Sequence, residues 1–389
     1  MPIAVYVLAL SIFALGTSEF MLSGLLPPIA TDLGVSIPDA GLLISAFAVG
    51  MLVAAPLLAA ATLRLPRKLT LLGMLVLFLL GNVVGAVAPT YGLLFASRVV
   101  SAAAAAGFWA VAAVTTVAMV PPERRGRALA VMAGGLTVAN VLGVPAGTFL
   151  GQFAGWRSAF WAVAALTAVA IVGVLLLVPS VRPAAERPSL RGELRSYRDP
   201  RLWLAFSITS ASTAMAMATF SYLAPLLTEV SGLPTGWLPG VLGLYGVGAV
   251  IGITLGGRLA DVHPLRTLAG GIGAAVVVLA VLAVAGSSTA VAVTAAFLLG
   301  LTGFLTNPAL NVRVFALASA APTLAGASNV SAFNAGIVVA PWLGGLTIDA
   351  GLGYLSVTWV SIALGVLALG GVALASALQQ RGERALVLA

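Results

Sequence analysis

The chain contains no cysteine. Disulfides, thiol catalysis and thiolate metal sites are therefore excluded. It has one histidine, His263, too few for a histidine-based metal centre. Charge is also scarce: 8% of the 389 residues are Asp, Glu, Lys or Arg, against about 25% in a soluble domain. No P-loop pattern Gly-x-x-x-x-Gly-Lys-[Ser/Thr] occurs, which argues against work driven by ATP. What the chain has in abundance is apolar: 61% of residues are hydrophobic, and the mean hydropathy is +1.13. No soluble core of this length absorbs that much apolar sequence, so the chain reads as an integral membrane protein. Its net charge of +8 does not signal nucleic acid. The basic residues cluster in short loops between apolar runs, as the positive-inside rule requires.

A spanning helix needs about 20 mostly apolar residues. Twelve runs qualify: 3–26, 40–62, 69–88, 92–119, 128–151, 157–179, 201–228, 238–260, 266–285, 289–315, 324–348 and 354–378. Their length argues for helices, since barrel strands are about 10 residues of alternating polarity. The first run lacks a basic leader, is too long and contains Glu19, so it reads as a spanning helix and not as a cleavable signal peptide. Arg64, Arg67 and Lys68 follow the second run, and Arg124, Arg125 and Arg127 the fourth. Arg182, Arg187, Arg191, Arg195 and Arg198 lie between the sixth and seventh. Arg258, Arg266, Arg381 and Arg384 fall on the same side, which is expected to be the cytoplasm. Asp32, Asp39, Glu229 and Asp349 fall on the other side, with Arg157 as the exception. Both termini are then expected in the cytoplasm of a bacterial cell (inner) membrane.

The segment 180–200 is the longest polar interruption, and it divides the chain near its middle. Leu190, Leu194 and Tyr197 are spaced as on a short amphipathic helix lying on the membrane surface; a solvated linker is the other reading. The halves look duplicated. Pro145, Gly151 and Gly155 correspond, at a constant offset of 196, to Pro341, Thr347 and Gly351. An X-Pro step with basic residues follows both the second run (Leu65-Pro66-Arg67-Lys68) and the eighth (His263-Pro264-Leu265-Arg266). Residues 1–179 and 201–389 are accordingly two six-helix bundles joined by 180–200, an arrangement that places a transport site between them.

Within the first run stands Gly16-Thr17-Ser18-Glu19-Phe20-Met21. A carboxylate at bilayer depth costs roughly 2.5–3.5 kcal/mol on insertion scales. Desolvation favours the neutral acid, so such a group can carry a proton. Glu19 is therefore the candidate for proton coupling, against the alternative of a neutral Glu that only packs. Arg98 is its candidate partner, because an Arg at that depth must pair with an acid or with carbonyl groups; a static brace is the equal alternative. The substrate site should be largely apolar with a few polar groups. Its candidates are Ser18, Met21, Trp109, Asn140, Met215, Phe220, Tyr222, Tyr245, Asn329, Phe333 and Asn334. Packing is the first alternative for each aromatic or Met, and interhelical hydrogen bonds could explain each Asn. Arg313 reads as the cytoplasmic end of the tenth helix, snorkelling. In Gly143-Val144-Pro145-Ala146-Gly147-Thr148-Phe149-Leu150-Gly151, glycines at i, i+4 and i+8 make one smooth face. Pro145 should bend the helix there.

At this point the sequence resembles the major facilitator superfamily, and more narrowly its twelve-helix drug:proton antiporters. The Gly-Val-Pro-x-Gly stretch at 143–147 matches their fifth-helix motif. Arg98 and the small residues Ser101 to Gly107 match the fourth-helix motif, with Ala102 where Gly is frequent. The loop after the second helix is a degenerate copy of Gly-x-x-x-Asp-Arg-x-Gly-Arg-Lys. Ala59, Leu63 and Pro66 replace the Gly, Asp and second Gly, while Arg64, Arg67 and Lys68 remain. The copy after the eighth helix keeps Gly257 and Asp261. The segments Gly16 to Met21, Ser45-Ala46-Phe47-Ala48, Gly126 to Val131 and Gly155-Trp156-Arg157 are most similar to bacterial chloramphenicol-resistance exporters. The resemblance implies an all-α membrane protein of the major facilitator fold, with twelve transmembrane helices in two pseudo-symmetric six-helix bundles. It implies proton-coupled efflux of small amphiphilic drugs, chloramphenicol above all, by alternating access. Asp261 would act in gating, near a helix N-terminus where an acid gains roughly 0.3–1 kcal/mol, as a latch on the outward-open state. Leu63 removes the equivalent acid from the first half. The expected partners are a small-molecule substrate, protons and the lipid bilayer, without nucleic acid or cofactor, and the expected state is a monomer. A sugar or purine/nucleoside exporter of the same fold is the alternative. An importer, a membrane enzyme and a receptor are less well supported, since no catalytic cluster or sizeable soluble domain is present.

Overall fold

The computed structural model describes residues 1–61, 65–180, 195–318 and 322–388. Among them there is no strand. Twelve helices are long and apolar enough to cross a membrane: α1 Ile3–Gly24, α2 Ile37–Ala55, α3 Arg67–Val87, α4 Tyr91–Ala118, α5 Arg125–Ala154, α6 Trp156–Leu177, α7 Pro200–Ser221, α8 Thr235–Val262, α9 Pro264–Ala285, α10 Thr289–Leu317, α11 Ala325–Asp349 and α12 Ser356–Gln380. Each expected apolar run holds one of them. The seventh is shorter than its run. The chain turns at Tyr222, and Leu223–Pro225 and a π-helical turn Leu226–Val230 follow. Pro225 has no N–H to continue the ladder.

Local chemistry sets the ends. Ser36 and Asp39 form a reciprocal cap at the start of α2: the Ser36 hydroxyl donates to the Asp39 carboxylate (2.7 Å) and accepts from its backbone N–H (3.1 Å). Asp199 caps α7 by accepting from the Arg201 N–H (2.8 Å). Of the expected surface helix around Leu190, Leu194 and Tyr197, the two leucines lie outside the described residues. Arg195–Arg198 is a short 3₁₀ turn.

The packing repeats in the two halves. α1 lies on α5 as α7 lies on α11, α2 on α4 as α8 on α10, and α3 on α6 as α9 on α12. The halves meet along two seams, α2 against α11 and α5 against α8. In the first seam the Ser45 hydroxyl donates to the Val338 carbonyl (2.9 Å) and the Ser331 hydroxyl to Leu52 (3.2 Å). In the second, Gln152 donates to the Thr235 carbonyl (2.8 Å).

Glycine makes the second seam possible. Pro145 leaves a gap in the backbone ladder, and residues Ala139–Gly143 just before it wind as a π-helical turn. The expected bend at Pro145 therefore takes the form of a local change of register. This turn carries the Asn140 carbonyl against Gly246 of α8, where a Cβ would stand 2.5 Å from the oxygen and 2.6 Å from Val141 Cα. The three glycines of the Gly143–Gly151 stretch face the neighbouring α1 segment: a Cβ at Gly143 would overlap Thr17, at Gly147 it would meet Met21, and at Gly151 it would overlap Leu25. Toward the end that carries Arg124, Arg125 and Arg258, α5 and α8 part, and Gly134 and Gly257 have open space where a Cβ would be. The α5–α8 seam is thus closed at the end carrying Asp32 and Asp39, the acidic end, and parted at the basic end.

Gly246→Ala should force this seam apart, at about 1–3 kcal/mol for overpacking against backbone. The expected outcome is a lower unfolding temperature, with faster labelling of a cysteine placed at Gln152; the chain has no native cysteine to interfere. Gly240→Ala, which would enter open space, should change neither.

Candidate functional site

Arg98 of α4 is buried, with 1% of its surface exposed. Its Nη1 donates to the Ser18 hydroxyl (2.9 Å). The Ser18 hydroxyl donates in turn to Asn82 Oδ1 on α3 (2.9 Å), and Asn82 Nδ2 donates to the Phe78 carbonyl (2.9 Å). The guanidinium lies 4.4 Å from the Phe47 ring centre on α2, a cation–π contact. Its Nε and Nη2 are buried and have no acceptor. Glu19, partly accessible, is close enough for its charge to act on Arg98, yet the two form no ion pair. Among the described residues the one ion pair is between Arg157 and Asp32. Ser18 is fully buried inside this chain of hydrogen bonds.

One residue beyond Glu19, the Phe20 ring meets the Phe220 ring edge-on at 6.5 Å. Phe220 stacks on Tyr245 (4.4 Å, 25° between planes), and Tyr245 meets Phe304 edge-on at 6.3 Å. Helices α1, α7, α8 and α10 so contribute one continuous aromatic cluster across both halves. The Tyr245 hydroxyl is buried there without a partner. Phe304 is not among the residues marked in the sequence. Neither is Asn82, since one Asn and one Phe in an apolar helix read as packing until α1 and α4 are placed beside them.

The other candidates are spread around this core. Met21 is buried against Gly147, and Met215 faces Gly365 of α12, away from the cluster. Tyr222 is fully buried, donates to the Pro341 carbonyl (2.7 Å) and fills a slot between Gly41 of α2 and Gly344 and Gly345 of α11. It is a plug at the closed acidic end. Asn140 donates to its own helix at Leu136 (3.1 Å). Asn329 ties three helices: it accepts from Thr209 (3.2 Å) and donates to Asn311 (2.9 Å). Asn334 donates to Val330 (2.9 Å), and its Oδ1 is buried without a partner. Trp109 and Phe333 are partly accessible. A groove of about 540 Å³ lies between α7, α11 and α12, lined by Trp203, Phe206, Ser210, Ala332 and Leu364. No expected substrate residue lines it.

Of the gating candidates, Arg64 lies outside the described residues. Arg67 reaches toward the Val114 carbonyl at 3.5 Å, and Lys68 stands beside it. Asp261 is exposed in the last turn of α8 and forms no ion pair with the described residues. With α5 and α8 parted at this end, Asp261 makes no latch contact with the described residues. Arg313, expected at the very end of α10, stands one turn inside it, with Nε buried and unpartnered.

Arg157 closes a clasp at the acidic end. It pairs with Asp32, donates through Nη2 to the Ala88 carbonyl (2.9 Å) and lies over the Trp156 ring, 4.2 Å from its centre. Trp156 Nε1 also donates to Asp32 (3.1 Å). These two donors hold the Asp32 carboxyl below its ordinary value of 3.8. A depressed value means that the clasp stabilises the fold above the ordinary value and is lost as pH falls through the depressed one. The difference in unfolding temperature between the protein and Asp32→Asn should therefore be constant from pH 5 to 8 and shrink progressively as the pH falls below 3.8. Its size should be small and salt-sensitive, because both side chains are partly exposed.

Residues 8–341 match the Major Facilitator Superfamily. A chloramphenicol resistance protein of Streptomyces lividans is 42% identical over 95% of each chain. The inner membrane transport protein YdhP of Escherichia coli strain K12 is 36% identical over 89% of each. The fold is also that of a bacterial homolog of the human lysosomal transporter Spinster, with a TM-score of 0.81 over 97% of each chain at 19% identity. Twelve apolar helices in two six-helix bundles have their explanation here: the chain belongs to the Major Facilitator Superfamily and is a multi-pass membrane transporter, not an enzyme.

Proposed function

We propose that this transporter exports small amphiphilic drugs, chloramphenicol first among them, in exchange for protons. The observation that carries the reading is the adjacency of Glu19 and Phe20. A titratable group in the first half stands one residue from a ring that belongs to a four-helix aromatic cluster shared with the second half. Drug bound on that cluster and proton bound on Glu19 would compete for one neighbourhood, which is what exchange requires. The apolar cluster, with the Tyr245 hydroxyl as its polar point, suits an amphiphile better than a sugar. The identity to a chloramphenicol resistance protein supports the same substrate class.

In this reading the basic end, where the α5–α8 seam is parted, faces the cytoplasm of a bacterial inner membrane. Drug enters there while Glu19 releases its proton to the cytoplasm. The halves then rock, residues 1–179 against 201–389 with 180–200 as connector. Glu19 takes a proton from outside as the drug leaves. One proton exchanged for one neutral molecule moves one charge inward, worth about 2.3 kcal/mol per 100 mV, or about 1.6 decades of drug gradient. Pro145, beside Gly243 of α8, serves the moving seam and Gly257 its basic end, Gly143, Gly147 and Gly151 hold α5 against α1 within the first half, and Asp261 serves the basic-end gate. A monomer is sufficient for this cycle.

Chloramphenicol accumulation should be low in cells that express the protein. It should rise to the level of cells lacking it when a protonophore is added or when Glu19→Gln is introduced. Equal accumulation with and without the protein would reject chloramphenicol, and low accumulation that survives the protonophore would reject proton coupling.

A further inference from the structure

The polar chain that reaches Arg98 has a direction. Asn82 Nδ2 is committed to the Phe78 carbonyl, so its Oδ1 is the atom turned to α1. The Ser18 hydroxyl donates its one proton to that oxygen. Its lone pair is then what remains for Arg98 Nη1. Each member is buried, with 0% exposure for Ser18 and 1% for Asn82 and Arg98. A seryl hydroxyl free to rotate would present either its proton or its lone pair to a cation. This one can present only the lone pair. The Phe47 ring lies against the guanidinium, with Cζ 4.4 Å from its centre. Nε and Nη2 remain, buried and without acceptors.

We propose that Asn82 is a positioning residue: by fixing the Ser18 hydroxyl it parks Arg98 against α1 and Phe47, short of an ion pair with Glu19. This rests on the reading of Glu19 as the proton site. The parked guanidinium acts on Glu19 through space and keeps two donor nitrogens, Nε and Nη2, ready for the carboxylate once it is charged. Arg98 thereby stays a modest influence and not a permanent partner, so Glu19 can take its proton back within the cycle. No other charged group competes. Between residues 40 and 61 of α2, 69 and 87 of α3, 128 and 154 of α5, 158 and 177 of α6 and 202 and 221 of α7 there is no Asp, Glu, Lys, Arg or His. The titratable group that faces this region from α8 is Tyr245, at the far side of Phe220. The charge balance here therefore reduces to Glu19, Arg98 and the hydrogen bonds that place Arg98.

The test uses the full-length protein in proteoliposomes, with chloramphenicol exchange measured against pH for the wild type, Ser18→Ala, Asn82→Leu and the double variant. Released from the relay, Arg98 can close on Glu19, and an opposite charge at contact moves an acid's titration by about one unit or more. The midpoint of the transport profile should therefore move about one pH unit toward acid in each single variant. The double variant should show the same shift, because both changes remove one interaction. The infrared guanidinium band of Arg98, identified by its loss in Arg98→Lys, should move in both single variants. It reads the relay whether or not Glu19 carries the proton. Ser18→Ala removes one oxygen from a site that keeps its Cβ, so it tests the idea even if Asn82→Leu fails to fold. Profiles that superimpose on the wild type while turnover falls would overturn the proposal and leave Asn82 a packing residue. So would a shift in Ser18→Ala alone when both variants fold, or additive shifts in the double variant. A moved guanidinium band together with a Glu19→Gln profile identical to that of the wild type would instead reject Glu19 as the proton site, and the positioning role with it.

Discussion

A guanidinium sealed inside a membrane bundle is the constraint around which the first half is built. An ion taken out of water loses several kcal/mol of hydration even after the protein relaxes. Arg98 recovers part of this from one hydrogen bond, from the face of Phe47 and from the field of Glu19. Two of its donors recover nothing. Such a site is poised, because a full ion pair would lock it and a fully neutral surrounding would not tolerate the charge. The helices that supply its contacts, α1, α2, α3 and α4, must keep their relative positions for any of these terms to survive. The first half is thus expected to move as one body.

The second half has no equivalent charge at its core. Where the first half uses Arg98, Ser18 and Asn82, the second uses the uncharged chain Thr209–Asn329–Asn311 to tie α7, α10 and α11. Neutral amides bind helices without a proton-dependent cost, so the second half offers a scaffold whose geometry does not change with protonation. Between the halves the contacts are of another kind. Gly246 receives a carbonyl, and Gly41 receives the Tyr222 ring and hydroxyl. Smooth backbone surfaces of this sort pack closely through dispersion and carry few directional bonds that must break when the surfaces separate.

The twelve spans were legible because each is a run of about 20 apolar residues, and a bilayer leaves few alternatives for such runs. Glu19 and Arg98 were legible because charge inside such a run is expensive. What the sequence did not reveal is how the two relate. Asn82 and Ser18 are small, common residues, and their function depends on three helices far apart in sequence meeting at one point. Phe304 was missed for the same reason, as one apolar residue among many. Met215 was misleading: it shares the composition of a binding site but turns to Gly365. The shift of register before Pro145 was half legible. A proline announces that the ladder breaks, yet the way the chain absorbs the break depends on what lies opposite, here Gly246.

Asp261 shows how a residue can look wrong in one conformation and still belong to the cycle. In the last turn of α8 an acid faces the negative end of the helix dipole, an unfavourable place for it. Exposure to water and screening by salt keep the cost small. An interaction favourable only when the basic ends approach contributes nothing to the state described here and lowers the energy of the other. That difference, and not the contact itself, is what biases an equilibrium between two arrangements. The seam of glycines holds the acidic end shut without strong bonds, so a modest gain at the opposite end is enough to compete with it. The proposed gating role of Asp261 is consistent with its isolation: a latch for the other state should be idle in this one.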